Sequence, residues 1–257
     1  MIFSYIVGAQ LYCPVKPNLH SKLLLLFSVL STVYCSSDPV EVQETKLLRI
    51  QNAIDLGVNA QGDLVYLKQN RYTVSVVKNG QTLVTHRNNR PDCIDITSEG
   101  KVLTNASGYT SYQGKYPYTT IDISAGGSEV YCLADNTKNT RLYRWVNDRW
   151  SLIVDGIESS RLTVDTRGRP WLIFNSEIRL YTPQGTYSSI AKPETASRWE
   201  QFLDIGSAGE EIYISLEHAK SHKRSLYKLN SLHQTWEKQV GTARRMDGSA
   251  EGTLWTN

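Results

Sequence analysis

A serine hydrolase needs a nucleophile on a sharp elbow and a paired histidine to take its proton. No Gly-x-Ser-x-Gly run occurs in the 257 residues. The five histidines are His20, His86, His218, His222 and His233, and nothing around them marks a general base. His218 and His222 are four residues apart, with Glu217 beside the first. On a helix that spacing could hold Zn²⁺, but a third ligand is needed. The segment reads as a loop between strands with no third ligand in view, so a solvated polar loop is expected. Asp95, Asp122, Asp204 and Asp247 each stand five residues ahead of a glycine. A ring of such acids could bind a cation such as Ca²⁺, which favours several carboxylate oxygens. Two equivalent slots hold Gly57 and Thr163, which breaks the ring. Each Asp is therefore expected to hydrogen-bond its own turn or the neighbouring repeat. The reading is of a non-enzyme with no catalytic residue, no metal site and no cofactor.

Six Trp and fifteen Tyr raise a different chemistry, the stacking of sugar rings on aromatic faces. Trp171 and Trp255 fall in a repeat slot that elsewhere holds Val, Leu or Ile, which assigns them mainly to the core. Better glycan contacts lie in the loops between second and third strands of each repeat. These hold Asn70, Arg71, Tyr109, Asn136, Arg141 and Asn175. Asn is also an ordinary hairpin-turn residue. Asn105-Ala106-Ser107 is the only N-x-[ST] sequon, and Asn105 falls in an expected turn where a glycosylation acceptor would be exposed.

The elements that must position these residues come from a repeat. Apolar, polar and apolar residues precede Gly62, Gly100, Gly127, Gly168, Gly209 and Gly252, and an apolar residue follows three places on. The separations are 38, 27, 41, 41 and 43 residues. Six before the glycines stand Leu56, Ile94, Ile121, Leu162, Leu203 and Met246; three after stand Val65, Leu103, Val130, Trp171, Ile212 and Trp255. The period of 2 means strand, glycine turn, strand. Third runs follow at 72–77, 109–113, 142–146, 178–182 and 226–229, and fourth runs at 82–85, 150–154, 187–190 and 236–240. Units of about forty residues with four strands are the signature of propeller blades. The expectation is an all-β, six-bladed β-propeller over residues 36–257. The second unit is short, with three strands or very tight turns. The last holds only two strands, so residues 41–53, including Leu47, Leu48 and Ile50, are expected to pair with the C-terminal blade and close the ring.

Residues 1–35 differ from the rest. They contain no acid, and Lys22 precedes an apolar run from Leu23 to Val33 and the small residues Cys35, Ser36 and Ser37. That order matches a cleaved signal peptide. The lead from Met1 to His20 is long for one, which fits an over-extended start; a signal anchor or a buried segment is the alternative. Cleavage would leave no membrane span and 26 bases against 25 acids, a balance unlike that of a nucleic-acid binder. Lys220, His222, Lys223 and Arg224 form the densest basic cluster, which reads as a charged hairpin tip. Cys93 and Cys132 remain in the mature chain, as a disulfide or as two buried thiols.

The repeat resembles the tectonin β-propeller family. Its inner hairpin is matched by Leu203-Asp204-Ile205-Gly206-Ser207-Ala208-Gly209 with Ile212-Tyr213, and by Gly252-Thr253-Leu254-Trp255. Its third strand is matched by Leu142-Tyr143-Arg144-Trp145 and Leu226-Tyr227-Lys228, and its fourth by the runs from Trp150 to Gly156 and Trp236 to Gly241. The first two repeats lack Trp in either slot. The resemblance implies a secreted lectin that binds glycans or bacterial surface polysaccharide at several sites. Tectonin-like propellers also include protein-binding modules, so the alternative is an interaction scaffold without sugar specificity.

Overall fold

The computed structural model describes residues 47–88, 90–105, 119–135, 139–230 and 234–257. The expected signal peptide lies outside the described residues, as do the third run of the second repeat and the candidates Tyr109 and Asn136. The described residues are all-β. After β1 (Leu47–Arg49), the chain forms β2 (Ala53–Val58), β3 (Leu64–Gln69), β4 (Val74–Lys78) and β5 (Gln81–His86), an antiparallel four-stranded blade. Next come β6 (Ile94–Ile96) and β7 (Val102–Thr104), a two-stranded sheet. A second blade holds β8 (Thr119–Gly126), β9 (Glu129–Asp135), β10 (Thr140–Val146) and β11 (Arg149–Ile157). A third holds β12 (Leu162–Val164), β13 (Pro170–Phe174), β14 (Glu177–Tyr181) and β15 (Tyr187–Ala191). The fourth holds β16 (Glu200–Ala208), β17 (Glu211–His218), β18 (Arg224–Asn230) and β19 (Thr235–Gln239). Finally β20 (Met246–Gly248) and β21 (Leu254–Thr256) join β1 in a three-stranded sheet.

The first strands touch in a cycle: β2 meets β6, β6 meets β8, then β12, β16, β20 and β2 again. The apolar core lies between the sheets. Val65, Leu67 and Val76 pack with Ile94 and Ile96 of the next sheet. Tyr131 and Leu133 pack with Leu162 and Leu172. Ile173 and Ile178 pack with Ile205, Ile214 and Leu216. Each sheet is thus covered on its flanks by its neighbours, and burial of that area is the main favourable term. This is a β-propeller.

The ring closes as expected, through residues ahead of the first blade. Leu47, Leu48 and Arg49 pair in parallel with Leu254, Trp255 and Thr256. Ile50 N–H then donates to the Thr256 carbonyl at 2.6 Å. Among the described residues, four of the sheets hold four strands each. β6, β12 and β20 are three residues long, whereas β2, β8 and β16 run to six, eight and nine.

The anchoring glycines belong to two turn classes. In β2–β3, β6–β7, β12–β13 and β20–β21 a five-residue turn closes when its fourth residue, a glycine, donates to the first residue's carbonyl. Asn59, Thr97 and Asp165 head three of these turns and accept turn N–H groups through their side chains. In β8–β9 and β16–β17 the turn is two residues, with Gly127 and Gly209 at its first position.

Candidate functional site

At the axis the repeated aspartates do a structural job. β2, β8 and β16 each carry a register shift just ahead of Asp55, Asp122 and Asp204. A bulge re-aims the side chain that follows it. Each carboxylate then accepts the backbone N–H of the next sheet's first strand. Ile94, Leu162 and Met246 donate to Asp55, Asp122 and Asp204, all at 2.8 Å. A second layer works the other three seams. Ala125 N–H donates to Asp95 and Val58 N–H to Asp247, both at 2.6 Å. At the last seam Thr163 and Ser207 pair through their hydroxyls at 3.4 Å. The six seams therefore alternate, and the ring has an approximate threefold repeat of paired sheets.

Two arginines face these acids from equivalent positions. Arg161 Nε lies 3.5 Å from Asp204, and Arg245 Nε lies 3.5 Å from Asp55. The third equivalent position holds buried Cys93. Burial is the largest influence on every one of the five carboxyls. It pushes Asp95 up to about 7 and Asp204 up to about 6, the latter against the pull of Arg245 and Arg161. Asp55, Asp122 and Asp247 are raised by the same cause, Asp55 further by Asp122 and Asp247 further by Asp95. Among the described residues, no group of three or more His, Cys, Asp or Glu could hold a metal ion.

The loop candidates lie on the face where first strands begin and second strands turn into third. They do not converge on one site. Asn70 N–H closes its turn on the Thr73 carbonyl at 2.9 Å, and Arg71 lies over the exposed Tyr72 ring at 5.1 Å. Arg141 is paired with Asp155 at 2.8 Å. Asn105 accepts Asp92 N–H at 3.1 Å and donates its amide to the Thr120 carbonyl at 3.2 Å and to the Asp92 carboxylate. The nitrogen that would carry a glycan is engaged in the fold. Cys93 and Cys132 share one buried cluster as free thiols, and burial pushes both thiols up. Trp171 is buried with its Nε1–H donating to Asp165 at 3.0 Å, whereas Trp255 is only half-buried. His218 Nδ1 accepts Lys220 and Ser221 N–H, and His222 Nδ1 faces Glu217 at 2.9 Å.

Asn175 has the richest surroundings. It sits at φ 51° in the β13–β14 turn and lines a cavity of about 440 Å³ between the third and fourth blades. Ile173 and Phe202 supply apolar surface there. Glu158, Ser160 and Ser176 line one side, and Lys192, Arg198, Glu200 and Gln201 the other. The loop between β15 and β16 is braced. Lys192 Nζ donates to the Ser197 and Glu200 carbonyls at 3.0 and 2.7 Å. Glu200 accepts Ser197 N–H at 2.7 Å and the Ser225 hydroxyl at 3.0 Å. Trp199, 44% exposed, carries Arg198 over its ring at 4.9 Å and Lys220 at 4.6 Å. These loop residues escape the sequence reading because they belong to no repeat slot. The available signal is Trp199 itself, an aromatic outside the three positions that Trp takes elsewhere.

The fold and site define a β-propeller with a polar cavity between two of its blades. No protein-family model matches the chain, and no curated protein matches it. Solved structures do. A TolB-designated protein from Agrobacterium tumefaciens is similar at TM-score 0.56 and 10% identity, covering 78% of this chain and 87% of that one. Pyrococcus horikoshii acylaminoacyl peptidase is similar at TM-score 0.50 and 10% identity, over 77% of this chain and 40% of that one. YCF48 bound to D1 peptide aligns at TM-score 0.47 and 13% identity, over 73% and 66%. At such identity the likeness extends to the fold, and a fold hosts many functions.

Proposed function

We propose that this protein is a secreted, non-catalytic, six-bladed β-propeller that binds carbohydrate. The two-stranded and three-stranded sheets count as blades in this reading, since they take their turns in the cycle of first strands. The observation that carries the binding role is the cavity beside Asn175. Its volume of about 440 Å³ falls within the range of small-ligand sites, roughly 300–1,000 Å³. Apolar surface from Phe202 and Ile173 suits the C–H face of a pyranose, and Asn175, Gln201 and Ser160 offer donors and acceptors for hydroxyls. Binding at one such cavity is weak on its own. Further contacts at the loops of Asn70 and Arg71, Tyr109, Asn136 and Arg141 would add by multivalency on a surface bearing many copies of the ligand.

A glycan array probed with the full chain tests the reading. Binding to a defined set of glycans, lost on Asn175→Ala together with Gln201→Ala, is the expected result. A verified folded sample that binds no glycan and no bacterial surface polysaccharide overturns it. A protein partner whose binding survives deglycosylation and excess free sugar would favour the scaffold role instead. N-terminal sequencing of secreted material tests the cleaved leader over residues 1–35.

A further inference from the structure

We infer that the cavity between the third and fourth blades takes an acidic saccharide, with its carboxylate held by Arg198 and Lys220. The inference rests on the carbohydrate reading and narrows it to a class. Two cations share the Trp199 ring, Arg198 at 4.9 Å and Lys220 at 4.6 Å from its centre. Cations over an indole face are attracted to it, but two like charges at one ring repel each other. No ion pair to either occurs among the described residues. The nearest acid along the strand does not serve, because Glu200 already accepts Ser197 N–H and the Ser225 hydroxyl. Lys220 is brought there by the fold. Ala219 N–H donates to the Trp199 carbonyl at 2.9 Å, which ties the β17–β18 turn to the loop ahead of β16.

An anion placed between Arg198, which lines the cavity, and Lys220 would offset their repulsion and gain charge-assisted hydrogen bonds from a guanidinium fork suited to carboxylate. The rest of the ligand would lie against Phe202 and Ile173, with Asn175 in reach of its hydroxyls. The braced loop keeps the cost of ordering low, since Lys192 and Ser197 already fix its course. A neutral sugar of the same size would fill the cavity and leave the cations as they are.

Calorimetric titration of the full chain separates the possibilities. The probes are an oligogalacturonide, its fully methyl-esterified counterpart and a sulfated oligosaccharide. The acid should bind at least about tenfold more tightly than the ester, and Arg198→Gln or Lys220→Gln should each remove about that factor. Affinity should fall with added salt. The exposed Arg149→Gln, on the second blade, should change nothing. Equal binding of acid and ester overturns the inference and leaves the carbohydrate reading standing. Acid binding that survives both substitutions also overturns it. No binding to these probes or to any arrayed glycan overturns both readings. Sulfated and carboxylated probes of equal affinity, both lost in the variants, support the anionic group as the feature recognised. Preference for an acidic peptide over every saccharide overturns it in favour of the scaffold role.

Discussion

A single carboxylate can hold two sheets together if it is buried and aimed at a backbone N–H. Asp204 does this for Met246 and also faces Arg161 and Arg245. Asp204→Ala would leave a buried N–H unpaired and two guanidinium groups short of a partner. The expected cost is about 2–4 kcal/mol, read as a lower urea midpoint at constant slope. The glycines separate into two kinds by the same reasoning. A Cβ at Gly57 would stand 2.6 Å from the Asp95 backbone and 2.3 Å from its carboxylate. Gly57→Ala should therefore cost about 1–3 kcal/mol by forcing two sheets apart. Gly62 has φ 80° and open space around it, so Gly62→Ala should cost only about 1 kcal/mol of backbone strain. Chemical denaturation of both variants ranks them; a smaller loss for Gly57→Ala would contradict the seam contact. Asp55 shows why the sequence reading stopped short here. It is the structural partner of Asp122 and Asp204, yet stands seven residues before its glycine rather than five. The five-residue turn at Asn59 shifts the ruler, and turn class is invisible to a count that treats all glycines alike.

Strands were the most legible level. The third and fourth runs place β4, β5, β10, β14, β15, β18 and β19 within two residues of their true bounds, and the slots Val65, Val130, Trp171 and Ile212 fall in β3, β9, β13 and β17. That signal survives because each strand must bury side chains against neighbours on its flanks. What the sequence hides is the pairing of sheets into three units, which depends on bulges of one residue and on which acid reaches which N–H. The cavity is hidden for a related reason. The repeat marks the turn after β13, which carries the candidate Asn175, but not the segment ahead of β12, the loop ahead of β16 or the start of β16, which supply most of the lining. Closure by β1 makes a prediction at this scale. Removing residues 1–44 leaves β1 in place, whereas removing 1–52 exposes the β21 edge. The second truncation also deletes the Ile50 donor to Thr256 and the Asn52 acceptor of Gln69 N–H. The longer deletion should lower the melting temperature by several degrees or more and promote self-association through the open strand. Thermal melts and light scattering of the two truncations, run side by side, check this. Equal stability of the two would mean that the parallel β1–β21 pair contributes nothing to closure.

The ring as a whole concentrates five buried carboxyls around its axis and answers them with two arginines. That imbalance has a consequence for the entire molecule. Unfolded, each Asp titrates near about 3.9. Folded, burial raises all five, with Asp204 at about 6 and Asp95 at about 7. Between those limits the native state binds more protons than the unfolded chain. The slope of unfolding free energy against pH follows the protons bound unfolded minus those bound native, so it is negative there. Stability contributed by these groups is fully present below about pH 4 and is lost as pH rises through 6 and 7. Opposite in sign are the surface acids Asp63, Asp155 and Glu217, whose partners hold them below their usual values. Their contribution fades as pH falls below about 4, and solvent screening keeps it small. The maximum should therefore lie on the mildly acidic side, near about pH 5, with a decline towards pH 8. Urea unfolding across pH 4 to 8 reads this directly. Asp95→Asn keeps an acceptor for Ala125 N–H and removes the titration, so the decline between pH 5.5 and 8 should shrink in that variant. A native profile that is flat or climbs over this interval would show that the axial acids remain charged in the folded ring, with Arg161 and Arg245 outweighing burial.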